Sequence, residues 1–456
     1  MPPRPAAERG ARSEAVAILL AVDEGRDHSH RLLRGLPEGM DKRERGLVTE
    51  LVYGVLRRRR ALDRVIARYA VRPPGRIDPF LLNALRIALY QILFLTRIPR
   101  ASAVDESVRL VLRSRGRALA SFANAVLRAA CRGVADRGAA AVLAPSPSPD
   151  PARSLSEAHS FPLFLVRRFV RRYGTAGAEA LLETLNRPAP IVLRPVRLGA
   201  AEAARRLARE GVVVAPSPVL PGALRVVRGS PRRTRLFGAG RIYIQDEASQ
   251  LVGLLAVPPR RPGASLLDMC SAPGGKILMI AERSRPDQGP TVAADVGRAR
   301  MRLLDENLSR AGVAHVHKVI MDSALPALRA RFDSVLLDAP CSGTGIIRRR
   351  PEIRWRRTEA SIRDFALKQA RLLDAGVSLL RPGGHLVYAV CSLEPEEGPA
   401  QIERCLERHP GLRAIDPRPR LPEAARRMVD GHGFLVTLPH RDDTDGFFAA
   451  LIRLRA

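Results

Sequence analysis

Two cysteines in this sequence each close an apolar run. Cys341 ends LLDAPC and opens the small-residue loop SGTG, and Cys391 ends VYAVC fifty positions later. A thiolate adds readily to an electron-poor carbon, so either residue is a candidate nucleophile. A lone cysteine is more often a small buried hydrophobe. Asp338 lies three residues before Cys341. An acid and two thiols facing one pocket would support covalent catalysis with acid–base assistance.

The surrounding pattern says how these residues could meet. From Ala264 onward the sequence alternates strand and helix signals. Strands are expected at Ser265–Met269, Thr291–Asp295, His317–Met321, Ser334–Asp338 and His385–Val390, with later ones at Phe434–Leu438 and Phe448–Leu454. Helices are expected between the earlier strands, for example over Arg298–Ala311 and Glu359–Leu380. This is the grammar of a doubly wound α/β sheet, whose ligands sit beyond the carboxyl ends of the strands. Asp338, Cys341 and Cys391 fall at such ends.

The first strand runs into LLDMCSAPGGK, Leu266–Lys276. Pro273, Gly274 and Gly275 make a tight turn that lets a ligand approach bare backbone, and the following helix offers its N-terminal amides. The stretch is neither a P-loop nor GxGxxG, since Ile277 stands where a magnesium-binding hydroxyl is required. Asp295 ends the second strand twenty residues after Gly275, a place where an acid commonly accepts from ribose hydroxyls, or simply caps the next helix. Asp322 ends the third strand, either as a second ligand contact or as a turn cap. Together these acids fit a nucleoside without a phosphate-binding lysine pattern, which favours S-adenosylmethionine over a nucleoside triphosphate. Gly343 and Gly345 are expected to make room for a base and the cofactor.

The 456 residues suffice for several domains. Lys and Arg number 76 against 46 Asp and Glu, a net charge of +30. An arginine-rich excess of that size points to a polyanion, with nucleic acid foremost. The five cysteines, Cys131, Cys270, Cys341, Cys391 and Cys405, form no paired spacing. A disulfide framework and a zinc ribbon are therefore not expected, no metal is expected, and a reducing, cytoplasmic compartment is. No apolar run approaches the roughly 20 residues that span a bilayer, so no membrane partner is expected. Ala15–Val22 reads as a core helix rather than a signal peptide.

Residues 1–140 read as an all-helical bundle of short helices, broken at Pro37–Gly39, Pro73–Gly75 and Pro99. Residues 141–158 contain APSPSPDPARSLS (Ala144–Ser156) and read as an extended linker. Residues 159–260 read as a small α+β region. There Arg167, Arg168, Arg171 and Arg172 share a helix, and Arg194, Arg197, Arg232 and Arg233 follow; a phosphate-facing surface is expected from them. Residues 261–456 read as the catalytic domain.

These segments resemble two known families. LLDMCSAPGGK, LLDAPCSGTGIIRRRPEIRW, LVYAVCS, LFGAGRIYIQDEASQL and HGFLVTLPHRDDTDGFFAALIRL are similar, in order, to the motifs of the RNA cytosine-C5 methyltransferases of the Sun/NOL1/NOP2 type. ERGLVTELVYGVLRRRRALD, AVDESVRL and FANAVLR resemble NusB, an all-helical RNA-binding domain. The resemblance implies a multidomain chain: a NusB-like bundle, a small α+β RNA-binding region, and a Rossmann-like class I methyltransferase domain. It implies S-adenosylmethionine held by Cys270, Ser271, Ala272, Pro273, Gly274, Gly275, Lys276, Asp295, Asp322 and Asp338. It implies Cys391 as the attacking thiol, Cys341 as the residue that releases product, and Asp338 as the acid that engages the base. Analogy with DNA cytosine methyltransferases would instead make Cys341 the nucleophile. The NusB-like fusion implies small-subunit (16S) ribosomal RNA as substrate, with a monomer expected. A tRNA methyltransferase and a non-catalytic assembly factor are the other readings. The sequence departs from the family pattern at Ile277, Val390 and Gly398.

Overall fold

The computed structural model describes residues 10–145, 147–284 and 287–456. The described residues divide into two compact units, one reaching to Asn186 and including Arg349–Arg356, the other Arg187–Arg348 with Arg357–Ala456.

The first unit is helical: α1 (Ala11–Asp23), α2 (Ser29–Arg34), α3 (Lys42–Ala70), α4 (Pro79–Phe94), α5 (Arg100–Arg115), α6 (Arg117–Leu143), α7 (Pro151–His159) and α8 (Leu163–Asn186). The expected breakers fall between helices, but α3, at 29 residues, is longer than the short helices expected, and the α6 stretch is interrupted by a kink at Gly138. The apolar helix α4 sits at the centre, buried from Leu81 to Leu93. Asp78 caps it by accepting from the Leu81 amide at 2.9 Å, and Pro79 occupies its first turn, where no amide partner is needed. The crossing of α3 and α4 requires Gly54, because a Cβ there would lie 2.0 Å from the Tyr90 ring. Buried Arg86 on α4 makes a two-pronged pair with Asp63 at 2.7 and 2.9 Å.

The linker expected over Ala144–Ser156 is helical from Pro151, Ser146 lying outside the described residues. Asp150 accepts from the Ala152 amide at 2.9 Å, so a Ser- and Pro-rich composition here supplies a cap and a first-turn proline rather than an extended chain.

An eight-residue stretch, Arg349–Arg356, also belongs to this unit and ends in the short helix α14 (Ile353–Arg356). Glu352 is buried and accepts from the Ser29 hydroxyl at 2.8 Å. The Trp355 indole donates to the Leu56 carbonyl at 2.7 Å. Arg354 is fully buried, with its guanidinium 3.7 Å from the Phe161 ring centre and donating to Asn186 at 2.8 Å.

The second unit begins with a four-stranded antiparallel sheet in the order β2-β3-β1-β4, built from β1 (Val192–Pro195), β2 (Val213–Pro216), β3 (Leu224–Arg228) and β4 (Ile242–Ile244). Helices α9 (Ala200–Arg209) and α10 (Arg235–Gly238) lie along the same stretch, and α11 (Glu247–Leu255) leads onward. The larger sheet has the order β10-β12-β9-β8-β5-β6-β7, with β11 paired to β12. Its strands are β5 (Leu266–Asp268), β6 (Thr291–Asp295), β7 (Val316–Ile320), β8 (Phe332–Asp338), β9 (Leu380–Val390), β10 (Leu412–Ile415), β11 (Leu435–Thr437) and β12 (Phe447–Leu454). Strands β7, β6, β5, β8 and β9 pair in parallel, whereas β12 and β10 are antiparallel. The connecting helices are α12 (Gly275–Ala281), α13 (Arg298–Arg310), α15 (Glu359–Ser378), α16 (Pro399–Arg408), α17 (Glu423–Arg426) and α18 (Pro439–Asp442). The expected strands are all present, as are β2 and β3, for which the alternating stretches Val212–Val214 and Ala223–Val227 are the sequence signal, while β1, β4 and β10 are additional. Strand order reverses between β5 and β8, and the crevice at that reversal is where such sheets bind ligands.

Candidate active site at the strand ends

The parallel pairing of β8 with β9 sets the two cysteines side by side. Asp338 is in register with Ala389, and the Ala339 amide donates to the Ala389 carbonyl at 2.8 Å. Both strands are buried on both faces, so this register is fixed by the core. The two loops therefore leave the sheet at one level, and the Sγ atoms of Cys341 and Cys391 lie 3.3 Å apart. Both thiols are free. The hydrogen bond to Cys391, then burial, raises the Cys341 thiol well above its ordinary range. Either thiol can be the donor in this contact.

Asp338, about one-third exposed, accepts from the Lys276 ammonium at 2.6 Å. Lys276 also lies over the Phe447 ring at 5.4 Å. Lys276, named above among the cofactor residues, is thus paired with the catalytic-candidate acid. At the end of β5, burial pushes the Asp268 carboxyl up to about 7, with Ser271 nearby opposing the shift. Asp268 Oδ1 and Ser271 Oγ are buried without a hydrogen-bond partner. Cys270 is half-buried, and burial pushes its thiol upward, so it is an inert neighbour here rather than a third nucleophile.

The turn between β5 and α12 is held from β6 and α13. Buried Asp295 accepts from the Ala272 amide at 3.2 Å and pairs with Arg300 at 3.0 Å. Arg300 also donates to the Ala272 carbonyl at 3.1 Å, and Asn307 donates to the Pro273 carbonyl at 2.9 Å. Gly274 caps α12 at φ +100°, a conformation that favours glycine. Gly275 packs tightly, since a Cβ there would lie 3.0 Å from the Tyr243 ring. Arg300 and Asn307 had no role assigned from sequence; their position one and three turns into the helix after Asp295 was the available signal.

Asp322 is exposed, and its Oδ1 accepts from the Ala324 amide at 3.0 Å, as a turn cap does. Its neighbour Ser323 is buried and reaches the Met269 carbonyl at 2.5 Å, tying the end of β7 to that of β5.

Two expectations are corrected. Gly345 does not open space for a ligand: a Cβ there would sit 1.9 Å from the Gly446 carbonyl oxygen, so the missing side chain admits another stretch of backbone. Arg194 does not face solvent. It is buried, paired with Glu282, and stacked 5.8 Å from the Tyr243 ring, because β1 turns this side chain inward. A basic groove of about 710 Å³ is instead lined by Arg206, Arg209, Arg235 and Arg241, with Glu210 between them. These arginines were not singled out in the sequence, being scattered over α9, α10 and the turn before β4.

The family described as 16S rRNA methyltransferase RsmB/F matches residues 255–453, the NusB family matches 9–132, and the RsmF/B-like ferredoxin-like domain matches 161–232. A probable ribosomal RNA small subunit methyltransferase B of Bacillus subtilis is 32% identical over 451 residues, covering 97% of this chain and 98% of that protein. A putative methyltransferase of Mycobacterium tuberculosis is 35% identical over 452 residues, covering 97% and 96%. Among solved structures, a methyltransferase homolog from Pyrococcus horikoshii is 30% identical with a TM-score of 0.57, covering 68% of this chain and all (100%) of that one. With a helical NusB-like region, a ferredoxin-like region and a methyltransferase sheet in this order, and with relatives aligned along nearly its whole length, the chain belongs to the ribosomal RNA small subunit methyltransferase B family.

Proposed function

We propose that this chain transfers a methyl group from S-adenosylmethionine to C5 of a cytosine in 16S ribosomal RNA, through a covalent adduct between Cys391 and C6. The observation that carries this reading is the pair of thiols 3.3 Å apart at the ends of β8 and β9, beside Asp338.

Cytosine C5 is a weak nucleophile until C6 is attacked. The Cys391 sulfur adds to C6, the π electrons of the 5,6 double bond shift toward N3, and Asp338 engages the N3 edge as charge develops there. The resulting enamine makes C5 reactive. Bound S-adenosylmethionine supplies an electrophilic methyl group at that point. Water then takes the proton on C5, the electrons of that bond form the 5,6 double bond, and the Cys391 sulfur leaves C6 with its bonding pair, which restores the aromatic ring. Cys341 enters at release. The raised Cys341 thiol favours this order, because the first attack requires a thiolate.

The residues at the end of β5 suit the cofactor. The unpartnered Asp268 Oδ1 and Ser271 Oγ offer an acceptor and a hydroxyl to the ammonium and carboxylate of a methionine moiety. Asp295, held by Arg300, would accept from the ribose hydroxyls, and Asp322 would face the adenine side. The target cytosine must leave any stack to reach the thiols, so a loop or single-stranded site is favoured. The arginine groove on α9 and α10 supplies phosphate contacts.

The test is methyl transfer from labelled S-adenosylmethionine to unmodified small-subunit RNA, with tRNA alongside. Cys391→Ala abolishes transfer, and Cys341→Ala accumulates a protein–RNA adduct stable to denaturing electrophoresis. Undiminished transfer by Cys391→Ala overturns the assignment. Transfer to tRNA alone moves the substrate, and no transfer by wild type to either RNA leaves a binding factor.

A further inference from the structure

Each candidate thiol is followed directly by a serine, Ser342 after Cys341 and Ser392 after Cys391. Both serines are buried, and both bond to one carboxylate, that of Glu397. Glu397 is fully buried on the turn before α16. Its Oε1 accepts from the Ser342 amide at 2.8 Å and from the Gln369 side chain on α15 at 2.9 Å. Its Oε2 accepts from the hydroxyls of Ser342 and Ser392, which lie 3.0 Å from each other. Four donors thus surround the group, and among the described residues no lysine or arginine pairs with it. Its own carbonyl accepts from the Tyr388 hydroxyl at 2.5 Å.

A buried carboxylate without a cationic partner is a costly feature. Here it is retained where it bonds to both cysteine loops. We infer that Glu397 is a positioning residue for both thiols: its carboxylate clamps the residue after each cysteine, and its negative charge lies beside both loops. The inference rests on the thiol-based reaction proposed above.

The charged and titratable groups around Cys341 agree with it. Cys391, Glu397 and Asp338 all raise the Cys341 thiol, after the hydrogen bond and burial are counted. Tyr388, from β9, is also raised, first by burial and then by Cys341 and Glu397, with Arg404 opposing. The Arg357 guanidinium reaches the Ser342 carbonyl at 2.6 Å and so braces the loop from the other side. Glutamine can replace the carboxylate while reversing two bonds: its oxygen accepts from the Ser342 amide and Gln369, and its amide donates to the two hydroxyls, which become acceptors. Glu397→Gln therefore removes the charge and keeps the clamp, whereas Glu397→Ala removes both.

The experiment uses the full chain and reads iodoacetamide alkylation of Cys341 and Cys391 separately, by peptide mass spectrometry, across pH 6 to 10. Thermal melting and single-turnover methyl transfer are measured beside it. Glu397→Gln is expected to melt like wild type, to alkylate Cys341 at least about fivefold faster at pH 8, and to shift the Cys341 profile to lower pH. Glu397→Ala is expected to slow methyl transfer by at least about tenfold with the RNA KM within a factor of two. Should Glu397→Ala fail to fold, Ser342→Ala and Ser392→Ala each remove one arm of the clamp and are expected to slow transfer in the same direction. An unchanged Cys341 alkylation profile in Glu397→Gln overturns the charge role. Wild-type transfer in Glu397→Ala, or in both serine variants, overturns the clamp. Alkylation needs no RNA, so it decides the role of Glu397 even if wild type methylates nothing.

Discussion

Adding one methyl group at Gly345 tests whether the thiol loops are held by backbone contact. The Cβ of Gly345→Ala would lie 1.9 Å from the Gly446 oxygen, 2.7 Å from its carbonyl carbon and 2.9 Å from its Cα. A carbon tolerates a carbonyl oxygen at about 3.3 Å, so the two strands of backbone must part by about 1.4 Å. Two hydrogen bonds stretch when they do: the Gly345 amide to the Cys391 carbonyl at 3.1 Å, and the Gly446 amide to the Gly345 carbonyl at 2.9 Å. Each contributes about 1 kcal/mol, and overpacking a tight site costs about 1–3 kcal/mol, for a total of about 3–5 kcal/mol. The first of those bonds ends on Cys391 itself, so the thiol moves with it. A displacement near 1 Å at a reacting group costs on the order of 100-fold in rate. Urea unfolding gives the stability change, and single-turnover transfer at a temperature where the variant is folded gives the rate. A variant within about 0.5 kcal/mol of wild type and with an unaltered rate would refute the reasoning.

Oxidation is a second probe of the same pair. One equivalent of hydrogen peroxide should join Cys341 and Cys391, the two thiols giving one disulfide and two waters, with loss of both alkylation sites and recovery in dithiothreitol. Peptide mapping that finds both residues still reduced, or singly oxidised, counts against the geometry. Double substitution of Arg209 and Arg235 by alanine should reduce the slope of log affinity against log salt by about 1.4–1.8 for RNA binding, and an unchanged slope would remove the groove from the interface. His385 gives a pH dependence. Burial, then Arg420 and Arg453, pushes its imidazole down to about 3, below an unfolded value near 6.5. The folded state keeps the ring neutral, so this stability is complete above pH 6.5 and falls, by about 1.4 kcal/mol per unit, as the pH drops toward 3. His385→Gln should flatten the acid limb of a urea-unfolding series by that slope, and an identical limb would show that the ring is solvated.

The central strands of the sheet were legible because they are buried on both faces and read as continuous apolar runs bounded by turns. Thr291–Asp295 is an instance where expectation and strand coincide. β1, β4 and β10 were not picked out. Cys341 and Cys391 could be placed at strand ends from the pattern, but their 3.3 Å approach depends on the β8–β9 register, which no local signal encodes. Arg194 misled because arginine type says nothing about which face of a strand it occupies. Gly345 misled for a related reason: a glycine marks a close approach without naming what approaches. Glu397 was visible only as half of an acidic pair, and its partners come from three separate stretches of chain.

The stretch Arg349–Arg356 bears on how the chain could be divided. It follows the Cys341 loop in sequence yet packs in the helical unit, where Glu352 meets Ser29 and Trp355 meets Leu56. Severing the backbone between Asn186 and Arg187 would therefore not release two finished pieces. The leading fragment would lack the eight residues that fill its interior, and Arg354 and Trp355 would stay with the trailing one. Such fragments are a split protein in which one half carries a plug for the other, so the helical portion is not an interchangeable attachment. Swapping it for another protein's equivalent requires exchanging this octapeptide as well, which begins 163 residues after Asn186.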